Sequence, residues 1–156
     1  MRAVELIAAG GVALRPSSGS FEDAVGTLVD LLVENRCLAA AVRDRAVRAV
    51  CDREAIASTA IVEIGVSVPH ARVEGVDGVI SALAAAPTPL YHAMTGVPIS
   101  IMIIVLSAPE LVGDHLNTLA GVSLLLQSDA TRLGLKEAAD AAAALRVLRG
   151  ENGGPS

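Results

Sequence analysis

Aromatic residues are scarce in this chain of 156 residues, which contains one Phe, one Tyr and no Trp. Phe21 and Tyr91 alone cannot form the stacking platforms on which proteins bind single-stranded nucleic acid. Hydrophobic residues nevertheless make up 53% of the chain, and this excludes disorder over most of its length. The core must be built from Ala, Val, Leu and Ile, and such a core favours close packing of helices against a sheet.

Positive charge and cysteine are also in short supply. The 12 Lys and Arg residues are outnumbered by 17 Asp and Glu, and there is no extended basic patch, so nucleic acid is not an expected partner. The two cysteines, Cys37 and Cys51, are not preceded by a signal-peptide pattern. We therefore expect reduced thiols in a cytoplasmic protein.

The sequence also lacks a hydrophobic run long enough for a membrane span, so we expect no membrane insertion. The longest run near the middle of the chain, residues 99–106, is far short of the ~20 residues that a span requires. Because this run is almost uninterrupted by polar residues, it predicts a strand that is covered on both faces.

The spacing of hydrophobic residues predicts the order of helices and strands that is typical of an α/β domain. A single mixed β-sheet should be flanked by helices on both sides within residues 1–150, and residues 151–156 should form a disordered tail. Ser20 is placed to cap the first helix, since its side chain can accept a hydrogen bond from a free amide. The predicted elements are an extended lead-in or short strand within 1–18, helices at 21–35 and 39–53, one bent or two short strands at 59–68 with Gly65 at the bend, a turn at 75–78, strands at 79–84 and 99–106, a helix at 115–127, a short helix capped by Asp129, and a helix at 137–149.

A histidine directly after a proline marks one candidate site. Pro69 has a fixed φ and no backbone N–H, and it favours an extended conformation at Val68. His70 should therefore lie where a strand becomes a loop, held stiffly enough to act as a nucleophile, base or ligand near neutral pH. A half-buried histidine with one satisfied hydrogen bond is the alternative interpretation of the same residues.

A second histidine, His115, should lie in the first turn of a late helix. If strand 99–106 lies beside the strand that ends at Val68, His70 and His115 meet at one edge of the sheet, where ligands of open α/β sheets bind. The free amide groups at the start of that helix would stabilise a dianion near His70. The two histidines thus indicate a phosphoryl site, and the alternative is that His115 is an ordinary surface residue.

The third histidine, His92, is interpreted as an ordinary loop residue. Together with His70 and His115 it would offer suitable ligands for zinc. No two of the three have the spacing of a metal motif, however, and the cysteines lie elsewhere in the chain. We therefore predict no metal site.

Three segments of the chain together resemble one protein family. The first is Val-Pro-His-Ala-Arg-Val-Glu-Gly at 68–75, and the second is Gly-Asp-His-Leu at 113–116, which follows Pro-Glu at 109–110. The third is Cys-Asp-Arg-Glu-Ala at 51–55, followed by Ser-Thr at 58–59. In this combination the chain resembles the enzyme IIA domain of the fructose–mannitol class of the bacterial phosphotransferase system (PTS EIIA type 2), which includes the nitrogen-regulatory IIA proteins.

This resemblance implies a phosphotransferase/anion transport protein-like fold and a role for each matching residue. By position, His70 is the phospho-accepting histidine and His115 flanks the phosphoryl group. Arg53 is a nearby cation and Thr59 a hydroxyl donor for phosphate. The resemblance further implies a phosphocarrier that needs no cofactor, metal or nucleotide. Its donor would be HPr or the nitrogen-branch counterpart, and a IIB domain or a regulatory target would receive the group, for sugar uptake or nitrogen-type regulation.

The chain departs from the family between Thr59 and His70. The family has a glycine-rich segment there, whereas residues 60–66 read Ala-Ile-Val-Glu-Ile-Gly-Val and keep one glycine. Glycines let the backbone approach a phosphoryl group closely, and Glu63 would repel phosphate if it faced His70. The alternative function is therefore a regulatory protein-binding module that has kept the fold and lost phosphotransfer.

Overall fold

The computed structural model of the chain describes residues 2–93 and 96–150, so the predicted tail at 151–156 lies outside the described residues. Its 3-10 turns are Ala40–Val42 and Val62–Ile64. The helices are α1 (Arg2–Gly10), α2 (Phe21–Glu34), α3 (Arg43–Ile56), α4 (Val112–Leu125), α5 (Asp129–Glu137) and α6 (Ala141–Leu148). The strands are β1 (Val12–Leu14), β2 (Ala60–Ile61), β3 (Val66–Ser67), β4 (His70–Arg72), β5 (Val79–Ala85), β6 (Tyr91–His92), β7 (Pro98–Ile99) and β8 (Ile101–Ser107).

The strands form one mixed sheet with a small hairpin beside it. In the order β1-β5-β8-β3-β2, the pairs β5–β8 and β2–β3 are antiparallel, whereas β1–β5 and β3–β8 are parallel. β4 also pairs with β8 in parallel, and β6 and β7 form the separate two-stranded sheet. The predicted α/β class with a mixed sheet is confirmed, and the hairpin is an addition to the single sheet that was predicted.

Helices cover both faces of the sheet because β8 presents apolar residues to both sides. All seven of its residues are buried, as the uninterrupted apolar run predicts. Met102, Ile104 and Leu106 join the core under α2 and α3. Ile103 and Val105 join the core under α1, α4, α5 and α6. Within the described residues, no helix has both the length and the hydropathy that crossing a membrane requires.

Pro69 interrupts the hydrogen bonding of one strand without changing its register. Val66 of β3 pairs with Ile101 and His70 of β4 pairs with Val105, so both short strands keep one alignment against β8. The carbonyl of Pro69 still accepts a hydrogen bond from the amide of Val105, at 3.0 Å. His70 therefore begins β4 and is held by the sheet, which corrects the prediction that it lies where strand becomes loop.

The N-terminal segment contains a helix where an extended lead-in or short strand was predicted. Val4 and Ile7 are buried at a spacing of three, which fits a helix lying on the sheet. Their β-branched side chains favour a strand locally, but packing against β5 overrides that preference. The second half of the predicted lead-in is correct, since Val12–Leu14 forms β1.

Two local signals in the sequence were interpreted correctly. The side chain of Ser20 accepts a hydrogen bond from the amide of Asp23 at 3.0 Å and so caps α2. Gly65 has a left-handed φ of 67° at the predicted bend between β2 and β3. Both signals are short-range, and neither depends on the packing of distant elements.

The C-terminal helices differ from the prediction at their boundaries. Ser128, and not Asp129, caps α5. The helix predicted at 137–149 begins only at Ala141, because Asp140 caps α6, and Glu137 is instead the last residue of α5. Between α5 and α6, the carbonyl groups of Ala138 and Ala139 accept hydrogen bonds from the guanidinium of Arg15, at 2.9 and 3.1 Å. These bonds connect the link between the two helices to the end of β1.

Candidate active site

Two histidine rings lie against each other beside β4. The ring centres of His70 and His115 are 5.4 Å apart, and the ring planes meet at 61°. β4, which begins with His70, pairs with the C-terminal end of β8. After β8 the chain turns into α4, and His115 lies in the first turn of that helix. Strand pairing followed by this turn thus brings together two residues that are far apart in sequence.

The ring of His70 is oriented by its own strand. Its Nδ1 lies 2.9 Å from the carbonyl oxygen of Val68. A carbonyl oxygen only accepts hydrogen bonds, so in the neutral ring Nδ1 carries the proton and Nε2 keeps its lone pair. The ring is half-buried, and Nε2 is the nitrogen that this hydrogen bond leaves available.

His115 is buried, and its surroundings disfavour a positive charge. The residue is only 6% exposed, and its Nδ1 lies 2.6 Å from the Oγ of Ser107. Burial, followed by the proximity of His70 and Arg72, lowers the pKa of His115 from 6.5 to about 4. The ring is neutral at pH 7, and the alternative that His115 is an ordinary surface residue is wrong.

Both histidines line an open cleft of about 600 Å³ between α3 and α4. β4 forms its floor, the C-terminal half of α3 forms one wall, and the first turns of α4 form the other. This volume is large enough for a phosphoryl group. The lining residues include Arg53, Ile56, His70, Arg72, His115 and Leu116.

Two arginines bring positive charge to the cleft. Arg53, a predicted site residue, donates from Nη1 to the carbonyl of Ala57 at 3.2 Å, near the end of α3. Arg72 donates from Nη1 to the carbonyl of Pro109 at 2.7 Å. A guanidinium has five N–H donors, so each arginine can hold its carbonyl and still bind an anion.

Thr59 is the predicted site residue that does not line the cleft. Its hydroxyl donates to Oε1 of Glu54 at 2.7 Å, and its amide donates to Oε2 at 2.8 Å. The hydroxyl would have to leave Glu54 in order to bind phosphate. Glu63, in the segment that lacks the family's glycines, is exposed and also lies outside the cleft lining.

The free amide groups at the start of α4 do not line the cleft, although they were predicted to stabilise a dianion there. These groups belong to Val112–Asp114, and these residues are not part of the cleft lining. The amide of His115 already donates to the carbonyl of Leu111 at 2.9 Å. The structure therefore gives no support to a helix terminus that holds a dianion beside His70.

Ser107 and Arg72 are polar residues of the site for which the sequence predicted no role. The available signal was the alternation of side chains along a strand. Arg72 follows His70 by two positions and therefore faces the same side of the sheet. Ser107 pairs with Arg72 across β4 and β8, so it lies on that side as well.

The fold is shared by enzyme IIA proteins of known structure. Nitrogen regulatory protein IIA-Ntr from Neisseria meningitidis superposes with a TM-score of 0.80 at 23% identity, covering 95% of this chain and 99% of that protein. The mannitol IIA of Escherichia coli gives a TM-score of 0.71 at 17% identity, covering 90% and 96%. The same mannitol IIA in complex with phosphorylated IIB gives 0.71 at 15% identity, covering 92% and 96%. No curated protein sequence matches the chain significantly.

A family model identifies the chain more specifically than these folds do. The model for EIIA 2 of the phosphoenolpyruvate-dependent sugar phosphotransferase system matches residues 5–150. This range contains the whole sheet and both walls of the cleft, so the match covers the site as well as the scaffold. The resemblance noted in the sequence is confirmed, and the chain belongs to the EIIA 2 family of the phosphoenolpyruvate-dependent sugar phosphotransferase system.

Proposed function

We propose that this protein is a cytoplasmic phosphohistidine carrier of the phosphoenolpyruvate-dependent phosphotransferase system. His70 accepts a phosphoryl group from an HPr-like protein and passes it on, for sugar uptake or for nitrogen-type regulation. The observation that carries the proposal is the pair of imidazole rings, 5.4 Å apart, in an open cleft that also contains two arginines. Membership of the family supports the same role.

The proposed step exchanges one P–N bond for another. The lone pair of His70 Nε2 attacks the phosphorus of the donor phosphohistidine in line, and the old P–N bond breaks with its electron pair returning to the donor ring. The ring of His70 gains positive charge, and its Nδ1–H is stabilised by the carbonyl of Val68 at 2.9 Å. The step requires no cofactor, because the donor already carries an activated phosphoryl group.

Arg53 and Arg72 are proposed to stabilise the phosphoryl oxygens during transfer. Phosphoryl transfer depends mainly on positioning and electrostatic stabilisation, and both guanidinium groups have donors to spare in the cleft. The phosphate-binding role of Thr59 stays a prediction. It requires the hydroxyl to exchange Glu54 for a phosphoryl oxygen.

The proposed partners are protein domains that deliver or receive phosphoryl groups. An HPr-like phosphocarrier is the donor. The mannitol IIA of Escherichia coli has been solved with a phosphorylated IIB. By that likeness, a IIB domain or a regulatory target protein is the proposed recipient here. The cleft is open to solvent on the side of Ile56 and Leu116, so a second protein can reach His70.

Transfer of radiolabelled phosphate tests the function directly. The protein is incubated with enzyme I, HPr or its nitrogen-branch counterpart, and labelled phosphoenolpyruvate. We expect label that is lost in acid and retained in alkali, as for a phosphohistidine, and that maps to His70. His70→Ala should remove it, whereas His92→Ala, at an exposed histidine of β6, should not. Label that survives His70→Ala would move the acceptor to another residue.

A binding module without phosphotransfer is the second candidate function. The observation that favours it is the segment at 60–66, where β-branched residues replace the family's glycines. Absence of label on the wild-type protein, with every donor supplied, would favour this candidate. Binding of unphosphorylated HPr or a IIB domain would then be the activity to measure.

A further inference from the structure

Ser107, the last residue of β8, makes a hydrogen bond with the buried histidine of the cleft. Its Oγ lies 2.6 Å from Nδ1 of His115, and Ser107 is fully buried. Water cannot replace this bond, because both partners are withdrawn from solvent. The direction of the bond therefore decides where the single proton of the neutral His115 ring lies.

The partners of the hydroxyl fix that direction. Among the hydrogen bonds of the described residues, the Oγ of Ser107 has His115 as its single partner. If Nδ1–H donated to Oγ, the hydroxyl proton would be buried without an acceptor, at a cost of about 1–3 kcal/mol. If the hydroxyl donates to Nδ1, every proton of the pair is bonded. Ser107 is therefore the donor, and Nδ1 of His115 is the acceptor.

The proton of His115 then belongs to Nε2. A neutral imidazole carries one proton, and Nδ1 is occupied by the hydroxyl of Ser107 at the end of β8. Nε2 lies on the opposite edge of the ring from Nδ1. We take this edge to face the cleft, which His115 and His70 both line. An N–H at that edge can donate to a phosphoryl oxygen, whereas a lone pair there would repel it.

We propose that Ser107 is a positioning residue that holds His115 in the Nε2–H tautomer, so that the buried ring presents a donor to the phosphoryl group on His70. Its effect on transfer rests on the proposed function. The tautomer assignment itself does not, since it concerns the protein without phosphate. The proposed role of Ser107 is exerted only through His115, without contact to the phosphoryl group or to His70.

NMR of the imidazole nitrogens tests the tautomer without any donor protein. In ¹⁵N-labelled wild type at pH 7, we expect His115 to be protonated at Nε2. Ser107→Ala should convert it to a mixture of tautomers or to Nδ1–H, and Ser107→Thr, which keeps the hydroxyl, should restore Nε2–H. Ser81→Ala is the matched control. Ser81 is equally buried, but its hydroxyl donates to the carbonyl of Ile104 at 2.8 Å, so its loss should leave the tautomer unchanged.

Transfer kinetics test the consequence for function. Ser107→Ala should lower the rate of His70 phosphorylation by about ten- to a hundredfold, as expected when a preorganised donor is lost. Ser107→Thr should recover most of the rate, and Ser81→Ala should transfer at the wild-type rate. Circular dichroism of each variant shows that the rates are compared between folded proteins.

Three results would overturn the proposal or its functional part. Nδ1–H at His115 in the wild type would reverse the inferred bond, and this measurement holds even if Ser107→Ala fails to fold. An unchanged Nε2–H in a folded Ser107→Ala protein would show that Ser107 does not set the tautomer. A shifted tautomer with wild-type transfer would remove the functional consequence. Failure of the wild type to accept phosphate would instead contradict the proposed function, and the NMR result would still decide the role of Ser107.

Discussion

The uncharged state of His115 has a clear use in a carrier. Burial, followed by the proximity of His70 and Arg72, lowers its pKa to about 4, so at pH 7 the ring offers a hydrogen bond without a full positive charge. A carrier must release the group that it accepts, and binding the phosphoryl group too tightly would hinder the second transfer. Positive charge in the cleft comes from Arg53 and Arg72, both of which also donate to backbone carbonyls, and Asp52 adds a negative charge to the lining.

Acid should destabilise the folded protein through His115. The unfolded chain binds a proton at this residue below about pH 6.5, whereas the folded protein binds it only near pH 4. Between these values the unfolded state holds more protons, so the free energy of unfolding falls as the pH falls. The contribution of this residue is on the order of 3 kcal/mol over the full interval. Urea unfolding at pH 7 and at pH 4.5 measures the loss.

His115→Gln is the control for this pH dependence, because glutamine does not titrate. We expect the variant to lose less stability between the two pH values than the wild type does, by about 2–3 kcal/mol. Equal losses in both proteins would show that His115 is not the group responsible.

Among the elements, the packing of α1 on β5 depends on a single glycine. A Cβ at Gly10 would overlap the backbone carbonyl oxygen of Ser81, which cannot move without disturbing the central sheet. We expect Gly10→Ala to lower the free energy of unfolding by at least about 2 kcal/mol, as in other overpacked cores. Gly19→Ala is the matched control, because a Cβ at Gly19 meets nothing within 4 Å. Thermal or urea unfolding of both variants measures the difference, and equal stabilities would contradict the close approach.

The elements also show which signals in the sequence were sufficient. The cap at Ser20, the bend at Gly65 and the buried strand β8 depend on neighbouring residues or on a simple run of side chains, and each was predicted. α1 was not predicted. Its helical conformation is favoured by contact with β5, a strand that lies some 70 residues later in the chain.

For the molecule as a whole, the cleft is bordered by apolar side chains that solvent still reaches. Ile56 at the end of α3 is 82% exposed, and Leu116 on α4 is 59% exposed. Both line the cleft that contains the histidines. In the proposed transfer, a donor protein must bring its own phosphohistidine to bonding distance of His70, and burial of these side chains would then contribute to the affinity.

A negative charge at Ile56 or Leu116 should slow phosphoryl transfer from a donor protein without slowing the chemical step at His70. We expect Ile56→Asp to lower the rate of transfer from HPr about tenfold at a limiting concentration of donor, since it exposes a carboxylate at the contact. Phosphoramidate, a small phosphoryl donor that needs no docking, should phosphorylate the variant at close to the wild-type rate. Leu133→Asp is the control, because Leu133 is 54% exposed but lies on α5 outside the cleft. Equal impairment with both donors would place the effect of Ile56 in the chemistry and not in docking.

The sequence by itself determined the α/β class, the central strand and the histidine after the proline, since these depend on composition, local periodicity and a motif. It also placed both histidines and Arg53 among the candidates. Only the tertiary structure decided what each of them touches. The bond between Ser107 and His115 forms because the chain turns from β8 into α4, and Thr59 is bound to Glu54 because α3 ends where it does. Periodicity tells which face a residue takes, but a hydrogen bond needs two atoms within about 3 Å, and that distance is set by the packing of whole elements.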